Sequence, residues 1–229
     1  ALPIWLMNSI PSKQQIFDAL VEKQGLENVK KLQAATVAVC GLGGLGSNIA
    51  ISLARAGVGK LILIDFDSVD ITNLHRQQYK AFQVGMPKPE ALSLNLKEIA
   101  PYVELETHFV RMTEENTLAL TQCANVVCEA FDRADAKAML VNTILEQNPN
   151  QYLVSGSGMA GFKDANGIQT RRVLKNFYIC GDGVSDVNDG IGLVAPRVMA
   201  CAAHEALTAI RLICGLEIGQ GNKDSENGK

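Results

Sequence analysis

The chain has no C-x-x-C pair, no apolar run approaching the ~18 residues of a membrane span, and no excess of basic residues. Each absence excludes something. Its six cysteines, Cys40, Cys123, Cys128, Cys180, Cys201 and Cys214, are scattered through mostly apolar segments, which predicts reduced, packed thiols in a reducing compartment and no structural zinc. Ala1 to Met7 lacks the positively charged start and full apolar core of a secretory signal, so the expected residence is cytoplasmic, with no membrane partner. A net charge of -3 and a pI near 5.7 give no electrostatic case for nucleic acid. Only three histidines are present, His75, His108 and His204, and none has a partner at metal-ligand spacing. What remains, at 47% hydrophobic and 20% charged over 229 residues, is the balance of a globular domain that binds any polyanion locally.

Short apolar runs alternate with helical spacing along most of the chain. Ile10 to Leu32 carries helical spacing behind a capping Ser12; Thr36 to Cys40 reads as a buried strand and Ser47 to Ala56 as a small-residue helix stopped by Gly57-Val-Gly59. Lys60 to Asp65 is the next strand, Lys88 to Ile99 a helix closed by Pro101, and Val103 to Val110 an alternating strand. A helix starting at Thr113, with Asn116 in the capping-box position, precedes a core strand over Asn125 to Ala130 and a helix over Ala134 to Gln147. This order predicts a Rossmann-like, doubly wound α/β fold with a mostly parallel sheet. From Tyr152 the pattern becomes glycine-rich. Strands are expected at Tyr152 to Ser155, Thr170 to Leu174 and Phe177 to Cys180, a loop over Gly181 to Gly192, and a closing helix over Pro196 to Leu212. Residues 1–9 are an odd native start and read as partly artificial, and 219–229 as a disordered polar tail.

Gly41, Gly43 and Gly46 fit G-x-G-x-x-G between a strand and a helix, with Gly44 inside the same turn, so backbone amides can approach a phosphate there. Asp65 follows Gly46 by 19 residues, the place of a ribose-binding carboxylate. A dinucleotide-dependent oxidoreductase would need little more. This chain adds Asp67, Asp70, Asn73 and Arg76, then Lys88 twelve residues on, and Asp132 at the end of the third core strand. Two cations, an amide and an acid at one crevice suit phosphoryl or adenylyl transfer, in which cations must spread the charge around the α-phosphorus. Magnesium is the expected metal, held by a carboxylate and substrate phosphates. Taken singly, Arg76 could be a surface ion pair, Lys88 a solvated helix start and Asp132 a helix cap.

Gly41-Leu-Gly-Gly-Leu-Gly46-Ser-Asn, Ala56-Gly-Val-Gly59, Ile64-Asp-Phe-Asp67-Ser-Val, Thr72-Asn-Leu-His-Arg76-Gln77, Val84-Gly-Met-Pro-Lys88 and Cys128-Glu-Ala-Phe-Asp132 together resemble the ThiF/MoeB/HesA family, relatives of ubiquitin-activating enzymes. The likeness runs over roughly residues 30–215. It is greatest to the short form, the sulfur-carrier adenylyltransferases of thiamine biosynthesis, on Phe177-Tyr-Ile-Cys-Gly-Asp182 and Gly192-Leu-Val-Ala-Pro-Arg197. The resemblance implies a ribose contact at Asp65, phosphate contacts at Asn73 and Arg76, a nucleotide-binding lysine at Lys88 and a magnesium-binding aspartate at Asp132. It implies catalytic duty for Arg76, Lys88 and Asp132, with Gly41, Gly43, Gly44, Gly46 and Asp67 in the nucleotide cradle. The implied reaction uses ATP and Mg2+ to adenylate the C-terminal Gly-Gly carboxylate of a small ubiquitin-like sulfur carrier protein, and a homodimer is expected. Residues 10–215 would form one adenylation domain, with 36–150 its nucleotide-binding half and 151–215 its carrier-binding half.

Two departures stand out. The zinc-binding C-x-x-C pairs of the longer relatives are missing, and so is their N-terminal R-Y-x-R-Q arginine, for which Arg55 is one substitute. Cys180 is the thiol to examine for sulfur transfer, although a packed strand-end cysteine is the plainer expectation. Asp182, Asp186 and Asp189 would form either a docking face or, preferably, a solvated loop. Competing readings keep the fold but change the substrate to tRNA or a peptide, return to the NAD-dependent oxidoreductase, or reduce the chain to an inactive scaffold.

Overall fold

Short apolar runs in the middle of the sheet, and more polar runs at its two edges, all too short for helices, fold as strands of one sheet. In the computed structural model, which describes residues 10–216, they are β1 (Thr36–Cys40), β2 (Lys60–Asp65), β3 (Glu104–Phe109), β4 (Val126–Glu129), β5 (Tyr152–Gly156), β6 (Gln169–Leu174) and β7 (Phe177–Gly181). The helices are α1 (Lys13–Gln24), α2 (Leu26–Ala34), α3 (Gly44–Ala56), α4 (Lys88–Ile99), α5 (Glu114–Thr121), α6 (Ala134–Gln147) and α7 (Ala195–Cys214). The readings made for 1–9 and 219–229 fall outside the described residues. None of the described helices is long and apolar enough to cross a membrane.

The Rossmann-like reading holds. Sheet order is β3-β2-β1-β4-β5-β7-β6, with every neighbouring pair parallel except β6 against β7. Side chains alternate across it. Val37, Val39, Leu61, Leu63, Val126 and Val154 face a core shared with α3, α4 and α7, whereas Ala38, Cys40, Ile62, Ile64, Val127 and Leu153 face one shared with α6. A period-2 pattern buried on both sides therefore reads as an unbroken apolar run. The glycine-rich loop from Asp182 to Val194 carries no regular element, as its composition predicts.

The helical spacing of Ile10 to Leu32 divides into two helices. Gly25, at φ 81°, takes a backbone conformation that a helix cannot contain, so it closes α1 and precedes α2. Ser12 caps α1 in a reciprocal capping box with Gln15. Helix α3 begins three residues before the expected Ser47, because its first turn is built from the glycines themselves.

Strand order reverses between β1 and β4, and the crevice outside their carboxyl ends is the ligand position of such sheets. Backbone contact shapes that crevice. A Cβ on Gly46 would lie 1.8 Å from the Gly41 carbonyl oxygen, so the turn tolerates no side chain there. Gly46→Ala should therefore lose about 2–4 kcal/mol in urea unfolding, since backbone rather than a pliable side chain must move. Gly167→Ala, whose new methyl meets nothing closer than 3.9 Å, should stay within about 0.5 kcal/mol of the unaltered chain.

Candidate active site

Three strand ends meet at this crevice. The Gly41 amide donates to the Ile64 carbonyl (2.8 Å), and the Ala130 amide to the Cys40 carbonyl (2.8 Å), drawing the turns after β1, β2 and β4 together. Gly41 stands at φ +89°, and an added Cβ would lie 2.9 Å from the Ala130 carbonyl oxygen. Helix α3 starts beside it with no side-chain cap on its first turn, leaving backbone N–H groups for an anion.

Asp65 is buried at the end of β2. Its Oδ2 accepts from the Leu42 amide (2.6 Å) and its Oδ1 from the Asp67 amide (2.8 Å). Burial pushes its pKa up, and the cation of Lys88 and the two amides offset part of that rise. Lys88 opens α4. Backbone hydrogen bonds from Val69 to Met86, from Gly85 to Val69 and from Lys88 to Asp67 stitch that helix start against the end of β2. The Lys88 ammonium, only 5% exposed, donates to Asp67 Oδ2 at 2.8 Å and stands 4.0 Å from Asp65. The plainer alternative for Lys88, a solvated helix start, is thus excluded.

Arg76 comes from the loop between β2 and α4. Its Nη2 donates to Asn73 Oδ1 (2.7 Å), its Nη1 lies 3.4 Å from His75 Nε2, and its buried Nε has no partner. Burial lowers the pKa of the guanidinium, an effect opposed by the carboxylate of Asp132. Gly44 gives Arg76 its room, because a Cβ there would meet Arg76 Cγ at 3.2 Å. His75 spans the Thr72 carbonyl (3.0 Å) and the Leu193 carbonyl (3.3 Å), a tether between this loop and the approach to α7. Asp132 stands exposed at the opposite rim. Its turn is held by Glu129, fully buried, which accepts from the Phe131 amide (2.7 Å), the Ser155 hydroxyl (2.5 Å) and the Lys137 ammonium (2.9 Å).

Gly41, Gly43, Gly44, Asp65, Asp67, Asn73, Arg76, Lys88 and Asp132 all line one cleft of about 840 Å³. Gly46 lies behind it, its role being close backbone approach, and Asp70 instead caps a short turn at the Thr72 amide (2.7 Å). Arg55, in the last turn of α3, is exposed and not among the residues lining the cleft. Among the described residues no group of three or more metal-ligating side chains gathers. The accessible carboxylate of Asp132 fits a magnesium ion that is coordinated mostly by phosphate oxygens and water. A second hollow, of about 610 Å³, lies at the amino ends of β4 and β5, where Lys31 already donates to the Cys214 carbonyl (2.8 Å).

Asp182 differs from expectation, and Cys180 meets it. Asp182 belongs to no solvated or docking face. Burial alone would raise its pKa, yet the Ser185 hydroxyl, two backbone amides and the Arg197 guanidinium (2.5 Å) hold it at about 2. Cys180 lies fully buried under α7, with its thiol pushed up to about 12 by burial and by Glu205, which favours the packed alternative. Sequence reasoning also passed over Gln77, Phe66, Arg111, Glu129 and Lys137, all positioned in or beneath the cleft. Gln77 and Glu129 had signals, one beside Arg76 and the other a charge in an apolar strand; Arg111 had none.

The comparisons agree with this geometry. The ThiF family model matches residues 15–227. Adenylyltransferase and sulfurtransferase MOCS3 from Anopheles gambiae is 37% identical over 205 residues, 86% of this chain and 46% of that protein. Ubiquitin-like modifier-activating enzyme 5 from Xenopus laevis is 42% identical over 143 residues, 57% of this chain and 36% of that protein. The chain thus spans less than half the length of these curated relatives. In fold it is similar to the E. coli tRNA N6-threonylcarbamoyladenosine dehydratase solved with ATP, at TM-score 0.80 and 22% identity, over 90% of this chain and 98% of that one. With a matching family model over nearly its whole length, and with that family's motifs meeting at one crevice, the chain belongs to the ThiF family.

Proposed function

We propose that this chain uses ATP to adenylate the C-terminal Gly-Gly carboxylate of a small ubiquitin-like sulfur carrier protein, releasing pyrophosphate. The observation that carries the reading is the meeting of an uncapped helix start, Arg76, Lys88 and Asp132 in one cleft. A hydride-transfer enzyme has no use for that second set of charges. Residues 36–150 would bind the nucleotide and 151–215 the carrier, in a homodimer. The assignment to thiamine thiazole biosynthesis rests on the resemblance of the segments Phe177 to Asp182 and Gly192 to Arg197.

In this reading Asp65 accepts from ribose hydroxyls, the α3 start and Asn73 hold phosphate oxygens, and Arg76 and Lys88 draw negative charge from the α-phosphorus. The carrier carboxylate is ionised at neutral pH and needs no base. One of its oxygens bonds to the α-phosphorus while the bond to the β-phosphate bridging oxygen breaks, and pyrophosphate leaves. Magnesium, held by Asp132 and the phosphates, would supply further charge neutralisation on the leaving group. Rate enhancement then comes chiefly from positioning and preorganised charge. The tail would enter between Gly156-Ser157-Gly158 and Ser185 to Val187, both of which line the cleft. A Gly-Gly end carries no side chain to obstruct that approach.

One observation favours a second reading, a tRNA-modifying dehydratase: the E. coli dehydratase structure is matched over 98% of its length. The net charge of -3 gives no basic footprint for RNA, so this reading ranks below the first.

Pyrophosphate-ATP exchange tests the proposal. Exchange should require a carrier ending in Gly-Gly, and Arg76→Ala and Asp132→Ala should each lower it by at least about 100-fold. Exchange absent with every such carrier, or undiminished in both variants, defeats the adenylation reading; exchange that requires tRNA favours the second. Cys180→Ala should leave the adenylation rate within about threefold, because the thiol is sealed from the cleft; a loss beyond tenfold at unchanged melting temperature would return Cys180 to the chemistry.

A further inference from the structure

Phe66 and Arg111 stand where the chain leaves β2 and β3. The register pairs Asp65 with Phe109, and the Val110 amide donates to the Asp65 carbonyl (3.1 Å), so residues 110–113 run alongside Phe66. The Arg111 guanidinium carbon lies 3.8 Å from the centre of the Phe66 ring. Both side chains line the cleft and both are exposed, Phe66 at 40%. Among the described residues the Arg111 side chain makes no hydrogen bond and no ion pair, in contrast to Arg76, Arg133 and Arg197 in the same region. A planar cation is thus fixed by a ring beneath it, with its donors and one face uncommitted at the rim of a nucleotide-sized cleft.

We infer that Arg111, supported on Phe66, is the nucleobase platform of this site and takes a purine base on its open face. The inference rests on the nucleotide reading given above. With phosphates at the start of α3 and the ribose at Asp65, the base must extend away from the glycine turn. Beyond Asp65 in that direction lie Phe66 and the segment 110–113. A guanidinium stacked on a base adds affinity without reading its hydrogen-bonding edge, because every base presents a π-face. Arg111 therefore sets affinity for the whole purine class, and it is a binding residue with no part in the chemical step.

Equilibrium titration of the full chain with ATP, ADP and AMP in the presence of Mg2+, without carrier, tests this. Arg111→Ala should weaken all three nucleotides by about tenfold and to the same extent, since the base is common to them. Arg111→Lys should weaken them nearly as much, because an ammonium keeps the charge but loses the plane. Phe66→Leu, which removes the support, should cost a smaller factor of about three. Unchanged binding by Arg111→Ala overturns the platform alone. So does full affinity in Arg111→Lys, or a loss that grows with phosphate number, since either marks Arg111 as a mere charge. No nucleotide binding by the unaltered chain overturns the nucleotide reading together with the platform. Arg111 is exposed, so melting temperatures matching the unaltered chain should accompany each Arg111 variant.

Discussion

The buried carboxylate of Asp65 fastens the site together. It accepts the Leu42 amide from the turn after β1 and the Asp67 amide from its own turn, and it lies beside the ammonium that opens α4. Three segments far apart in sequence are thereby set around one charge. Burial penalises that charge, and Lys88 and the two amides keep the penalty tolerable. Removing Lys88 would leave Asp65 and Asp67 facing each other without their cation. A surface tied together in this way has its charges placed before any ligand arrives, which is what electrostatic preorganisation requires.

On the far side of the crevice Glu129 does for Asp132 what Asp65 does for the glycine turn. Its carboxylate is completely buried and takes donors from Phe131, Ser155 and Lys137, so it fixes the turn that projects Asp132. Lys137 spends its third donor on the Gly156 carbonyl (2.9 Å), which carries the same constraint to the end of β5. Both walls of the cleft are therefore set by a buried carboxylate satisfied by backbone amides and one lysine. Buried ion pairs earn little net stability against apolar packing. Their service here is to fix where the exposed acid and the glycine floor stand.

Much of this was legible in the sequence. Strand and helix order, the parallel sheet and the convergence of Gly41, Asp65, Arg76, Lys88 and Asp132 follow from apolar periodicity, glycine punctuation and the rule that such strand ends meet at a switch point. Boundaries failed where a local conformation overrode periodicity, as at Gly25, whose positive φ splits an otherwise continuous helical pattern. Asp182 was misread because its partner, Arg197, comes from the first turn of α7, and no local pattern announces an ion pair between a loop and a distant helix. Arg111 was invisible for the same reason: its meaning comes from the β2–β3 register that lays it on Phe66. Composition records what is buried, whereas pairing across strands and helices is settled only when the chain closes.

The pairing of Asp182 with Arg197 also explains how the glycine-rich half keeps a shape. The loop after β7 has almost no apolar residue directed into the core and several residues that favour turns. Left alone it would sample many conformations at little cost. Asp182 gathers the Val184 and Ser185 amides and the Ser185 hydroxyl around one carboxylate, and Arg197 links it to the Asp164 carbonyl (2.9 Å). The loops that hold Asp164 and Asp182 thus share one anchor at the first turn of α7. A missing side chain makes this possible, since a Cβ on Gly158 would stand 2.2 Å from Asp182 Oδ1. Gly158 therefore does more than permit a turn: it lets a buried ion pair sit close enough to hold both loops. Both ends of the cleft are then held in one physical way, by a buried carboxylate that gathers two backbone amides and stands beside one cationic side chain.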